Sequence, residues 1–193
     1  MGSQLDLLTP EIVSLHDYWR SKAEADRPPA RRDIDPMELA PALLPHIGLI
    51  DVVRDGGALR FRYRLIGTAM VDLFGEDFTG TFADESKTGA YGAYLHDLYS
   101  QAVLGPAAVA SVARFGFRGS NRRVDRSFLR MERLILPLCV GEDVGMLLFS
   151  SVVMPAALED GRGAPAFRQA SLLGFDETCR RVAPLVAEAG RVA

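Results

Sequence analysis

The chain has 193 residues, 48% of them hydrophobic, which is enough for one domain with a full core plus terminal extensions and argues against two domains. Its formal net charge of −3 supplies no global basic field to hold nucleic acid by counterion release. The start, Met1-Gly2-Ser3-Gln4-Leu5-Asp6, has neither the basic nor the apolar part of a secretory leader, and no run approaches the roughly 18 apolar residues that span a bilayer, so a cytoplasmic protein without membrane insertion is expected.

Thr9-Pro10-Glu11 reads as a helix start, with a hydroxyl to cap and proline at the first helical position. Ile12, Leu15, His16 and Trp19 then fall at spacings of three and four and form one apolar side. Residues 27–32, with two prolines and three arginines, cannot extend that helix and form a linker. Asp35-Pro36-Met37-Glu38 is a second start, with Glu38 at the capping-box position; Pro41 and Pro45 keep its helix short. Residues 46–53 read as a buried strand, and Arg54-Asp55-Gly56-Gly57 as the turn of a hairpin. The returning strand carries the clearest pattern in the chain: Leu59, Phe61, Tyr63 and Leu65 alternate with Arg60, Arg62 and Arg64. That register predicts the apolar set against the helices and the arginines facing away.

Thr68 is placed to cap a short helix over 69–74, and Gly75 and Gly80 punctuate a loop. Ser86 is placed to cap a longer helix with Tyr91, Tyr94, Leu95, Leu98 and Ala102 on one side, stopped by Gly105-Pro106. Three strands follow over 107–117, 126–138 and 144–154, separated by the polar turns Gly119-Ser120-Asn121 and Gly141-Glu142-Asp143. Residues 159–165 read as a charged, glycine-rich linker, and Asp176 to Ala189 as a tail helix divided by Pro184. The expected organisation is an N-terminal helix and linker over 1–33, a domain over 34–154, and a C-terminal linker and tail helix over 155–193. The fold class is α+β: a five-stranded antiparallel sheet with helices on one face, plus the N-terminal flanking helix.

Trp19, the linker Pro29-Ala30-Arg31-Arg32-Asp33-Ile34-Asp35-Pro36, the string Leu43-Leu44-Pro45-His46, the segment Phe61-Arg62-Tyr63-Arg64-Leu65-Ile66-Gly67-Thr68 and Leu134-Ile135-Leu136-Pro137-Leu138 occur in this order. Together they resemble a bacterial PAS-domain family of short, mostly single-domain proteins of alphaproteobacterial type, over about residues 12 to 154. The resemblance implies a PAS-like sensory or interaction domain, in a family whose ligands and outputs are poorly defined.

No nucleophile elbow, phosphate-cradling glycine loop or metal-ligand spacing is present, so neither catalytic nor metal-binding residues are assigned. Cys139 and Cys179 are expected to be reduced. Phe61, Tyr63, Tyr91, Tyr94, Leu95, Leu98 and Phe115 would line a space between the long helix and the sheet; core packing is the expected use, a small-molecule pocket the alternative. No cofactor is expected. His96 lies on the helix from which some haem-binding PAS domains take their proximal ligand, which makes haem the minor alternative, though Tyr91 and Leu95 are better placed inward.

The arginine stripe would be a solvated face paired with acidic residues, or else a seat for an anion or an acidic helix; Asp35 and Glu132 are candidate partners for Arg64. Arg32 has no local explanation. With Ile12, Leu15 and Trp19 it is a candidate for contact with a protein partner or a second copy, a homodimer through the N-terminal helix being expected. The leading expectation is a non-enzymatic sensory or regulatory module that acts by binding a protein partner, a small molecule in its core pocket, or both. The alternatives are an enzyme or carrier on a cone-like α+β fold and a purely structural interaction module.

Overall fold

The computed structural model describes residues 8–24, 26–117, 128–155 and 172–185. The first helix, α1 (Pro10–Lys22), is followed by three short 3-10 turns over residues 31–46. The hairpin strands β1 (Ile47–Asp55) and β2 (Ala58–Ile66) come next, then α2 (Thr68–Phe74), α3 (Ala83–Ser86) and α4 (Gly89–Leu104). The strands β3 (Ala107–Phe117), β4 (Phe128–Val140), β5 (Asp143–Pro155) and β6 (Leu172–Pro184) complete the chain. They form one sheet in the order β2-β1-β5-β4-β3-β6, antiparallel at every pairing.

The hairpin turn is as the sequence predicts. Gly56 and Gly57 both hold positive φ, at 56° and 87°, the pairing that matches the right-handed twist of the flanking strands. Along β2, Phe61 and Tyr63 are buried against α4 while Arg62 and Arg64 face away and share Asp51 of β1, at 2.9 and 3.4 Å. Leu65 departs from the expected register and is 46% exposed. The ladder slips between Leu49 and Ile50, so Leu65 pairs with Leu49, Tyr63 pairs with Ile50, and Arg64 is the extra residue. Beyond such a bulge the alternation inverts, and Ile66 packs on the α4 side in place of Leu65.

The C-terminal segment is a strand where a divided helix is expected. β6 pairs with β3 from Ala107–Pro184 to Phe117–Leu172. A β3 edge of that length is a row of unpaired donors and acceptors, and satisfying it outweighs the weak helical spacing of Cys179, Val182 and Ala183. The sheet therefore has six strands. The turn at residues 119–121, the linker at 159–165 and the segment from 186 onward lie outside the described residues.

Both faces of the sheet are covered. α2, α3 and α4 close one face over Ile50, Phe61, Tyr63, Leu95, Leu98, Phe115, Ile135 and Phe149. α1 and the turns after it close the other over Leu134, Leu136, Leu138 and Leu148. Ile12, Leu15 and Trp19 have 0% exposure there, and the Trp19 indole Nε1 donates to the Pro137 carbonyl at 2.8 Å. Burial of this order stabilises by about 1.5–3 kcal/mol per large side chain. The apolar strip that argued for a second subunit is thus consumed by the chain's own sheet.

Helix starts are capped differently from the sequence reading. The Thr9 hydroxyl makes no cap bond; instead its backbone N–H donates to Glu132 of β4 at 2.7 Å. Gly67, not Thr68, occupies the N-cap of α2. Ser86 ends α3, and α4 begins after Thr88. Asp35 does cap, accepting from the Met37 N–H at 2.9 Å over a 3-10 turn.

Candidate functional site

β4 carries two adjacent charged residues within an apolar run, and strand alternation sends one to each face. Glu132, 1% exposed, points toward α1, where it accepts from the Thr9 N–H and pairs with Arg130 at 2.9 Å. Arg133, 3% exposed, points toward α4. It lies between Ser111 of β3 and Ser151 of β5 in the ladder. Its Nε donates to Ser151 Oγ at 3.2 Å and its Nη2 to the Tyr91 hydroxyl, while Nη1 is buried without a partner. The rings of Tyr91, Tyr94 and Phe115 surround the guanidinium with centroids 5.4–5.9 Å from Cζ.

Beside Arg133 lies a cavity of about 20 Å³, lined among others by Tyr63, Met70, Lys87, Tyr91, Tyr99 and Ser151. That is room for roughly one water molecule or one oxygen-sized group. Lys87, 4% exposed, stands on the same cavity with its Nζ 3.2 Å from the Phe78 ring centroid and 5.2 Å from that of Phe74. Burial pushes the Lys87 ammonium down to about 8, against a rise from Glu76 and a further fall from Arg133. Burial pushes the Tyr91 hydroxyl up to about 12, and those of Tyr63 and Tyr99 in the same direction. These phenols therefore hold their protons at neutral pH. Tyr63 and Tyr99 hydroxyls lie 3.4 Å apart.

A chain of hydrogen bonds leads outward from this centre. Ser111 Oγ donates to Glu177 of β6 at 2.6 Å, so the Tyr94 hydroxyl, 2.8 Å away, donates to Ser111. Arg180 grips Glu177 through Nε and Nη2, both at 2.8 Å, and reaches Asp97 on α4 with Nη1. The edge strand is thereby tied both to the long helix and to the core.

Of the residues expected to line a pocket, Tyr63, Tyr91 and Leu95 face the cavity. Phe61, Tyr94, Leu98 and Phe115 are buried in the same core without lining it. His96 lies elsewhere: its Nε2–H donates to the Leu59 carbonyl at 3.1 Å, it accepts from Ser100 at 3.4 Å, and its ring is set edge-on against Phe61. It does not line that cavity; it lines a separate pocket of about 270 Å³ with Leu59, Phe61, Asp84 and Lys87. Arg133 and Lys87 were overlooked by sequence reasoning; the available signal was a charge inside a strand whose neighbours two residues away, Met131 and Ile135, face the core.

The arginine stripe finds its acidic partners within the chain. Arg60 bonds Asp84 of α3 at 2.9 and 3.0 Å and Glu85 at 3.0 Å, with its guanidinium 3.9 Å from the Phe82 ring centroid. The acidic helix it could have recruited from a partner is its own α3. Arg64 pairs with Asp51, not with Asp35 or Glu132. Arg32 is exposed, 3.7 Å from Asp33, on the rim of an open groove of about 690 Å³ between the linker and the β4–β5 turn, lined by mixed charges such as Arg27, Arg64, Glu24 and Glu142. Charge of one sign gathers instead in the smaller core cavity.

A six-stranded antiparallel sheet with α2, α3 and α4 over one face and α1 over the other is an α+β architecture. A family model described as PAS domain matches residues 9–149, and the chain belongs to that family. Membership carries a sensory or regulatory role with it at the level of the family. Neither the curated proteins nor the solved structures contain a match. Among the described residues no helix is long and apolar enough to cross a membrane, and no group of His, Cys, Asp and Glu is arranged to hold a metal.

Proposed function

We propose that this PAS domain is a sensory module that takes a small molecule between α4 and the sheet and passes its presence to a protein partner through β6. One observation carries the reading: the centre of an apolar core holds a buried guanidinium with an unspent donor, on a cavity at its side. Buried polar groups are almost always satisfied, so an orphan of this kind calls for a partner, which a ligand atom in the cavity would supply. The path Tyr94–Ser111–Glu177 supports β6 as the output, because it joins Tyr94 of α4, whose ring centroid lies 5.7 Å from the Arg133 guanidinium, to the strand at the sheet's edge. β2, at the other edge, is already covered by residues 80–82, through bonds between Tyr63 and both Gly80 and Thr81.

The reading takes the protein as a binding module and not an enzyme. Its buried phenols are donors for a ligand and too weakly acidic to serve as bases at neutral pH. It also takes the protein as cytoplasmic, in keeping with the unpaired thiols Cys139 and Cys179. Native mass spectrometry of freshly purified protein tests the central point. The expected result is a small-molecule increment lost on denaturation, or acquired on incubation with a metabolite extract. A bare polypeptide mass under every such condition would contradict the reading.

A further inference from the structure

We infer that the core cavity is an anion site, in which Arg133 and Lys87 together hold the carboxylate of a small organic acid. This rests on the proposed sensory reading and names the class of ligand.

Charge accounting comes first. A guanidinium has five donors and stays protonated in any protein environment. Arg133 spends Nε on Ser151 and Nη2 on Tyr91, with the Tyr94 hydroxyl a further polar neighbour, and Nη1 itself makes no hydrogen bond. The Lys87 ammonium rests over the faces of Phe78 and Phe74 and makes no hydrogen bond or ion pair with a described residue. No carboxylate of a described residue comes within salt-bridge distance of either cation, and none lines the cavity. Glu177 reaches Tyr94 through the Ser111 hydroxyl and is itself gripped by Arg180. Two buried cations on one cavity repel each other and pay for desolvation, and a single anion between them relieves both.

The size and lining of the cavity narrow the anion. About 20 Å³ has room for one oxygen atom of a head group, and a flat carboxylate needs less widening of it than a tetrahedral phosphate does. Of the neutral hydroxyls of Tyr63 and Tyr99, 3.4 Å apart, one donates to the other and the second offers a further donor beside that position. The remaining walls, Ile66, Met70, Phe74 and Phe78, are apolar, and Phe74 is only half-buried. A short hydrocarbon tail fits there once the pliable Met70 side chain shifts.

The test is a thermal-shift and calorimetric titration of the full chain with formate, acetate, propionate, butyrate and benzoate. Their uncharged amides, sodium chloride and inorganic phosphate, at matched ionic strength, are the controls. At least one acid is expected to give a saturable stabilisation, with affinity at least about ten-fold above its amide. Lys87→Met is expected to melt higher than the wild type without anion and to lose about ten-fold or more in acid affinity. Arg133→Gln is expected to lose binding altogether; if it does not fold, Lys87→Met and Tyr91→Phe decide. Equal binding of amide and acid overturns the anion class while leaving a small-molecule sensor standing. Chloride or phosphate matching the acids overturns the carboxylate, as does undiminished affinity in Lys87→Met. No saturable shift from any acid overturns the proposal, and a bare mass in native spectrometry would then overturn the sensory reading with it.

Discussion

The two faces of β4 set neighbouring charges to opposite uses. Glu132 is as buried as Arg133, yet both its oxygens are engaged, one by the Thr9 N–H and one by Arg130, so it clamps α1 to the sheet. Arg133 keeps Nη1 without a protein acceptor beside a cavity. Burial alone therefore does not mark a functional charge. What separates the two residues is whether the fold satisfies the group it has buried.

That contrast breaks most sharply under substitution of the α1 face, which should affect stability and nothing else. Trp19→Ala removes a fully buried ring and its bond to Pro137, and is expected to cost about 3–5 kcal/mol in denaturant unfolding with ligand response per folded molecule unchanged. Glu132→Gln keeps the shape but loses the charge that Arg130 and Thr9 meet. A smaller loss, about 1–3 kcal/mol, is expected, since Arg130 is partly exposed and screened.

On the α4 face the expected sign reverses for Lys87. Its folded value lies near 8 and its unfolded value near 10.5, so between them the unfolded chain binds the extra proton and stability rises with pH. Relative to Lys87→Met, the wild type should gain up to about 3 kcal/mol from pH 8 to about 10. The comparison with the variant is needed because Tyr63, Tyr91 and Tyr99 stay protonated when folded and pull stability down above pH 10. A flat difference between the two proteins across that range would show that Lys87 is not desolvated. The smallest effect belongs to the outer stripe, where Arg62→Ala should change stability by at most about 1 kcal/mol and lose that effect in high salt.

Much of the fold is legible because it follows from periodicity and turn chemistry. The alternation in residues 59–63, the glycines at 56–57 and the apolar side of α1 all act locally, within a few residues of the signal. What escapes sequence reasoning depends on distant partners. The bulge at Arg64 is set by the pairing of β2 with β1. β6 becomes a strand because β3 offers it an edge, although its own spacing suits a helix. Thr9 is served by a carboxylate 123 residues away. The aromatic lining of the core is readable from helix spacing, since Tyr91 and Leu95 lie four residues apart on one face of α4. The charges at its centre are not, because whether a buried arginine has enough acceptors is settled only when three strands and a helix meet around it.

The most direct measurement is a high-resolution crystal structure grown with the acid that gives the largest thermal shift. The account expects a carboxylate oxygen roughly 2.7–2.9 Å from Arg133 Nη1, with the Lys87 ammonium turned from the Phe78 ring to meet it. An acid bound elsewhere, with Nη1 satisfied by a protein acceptor, would contradict it.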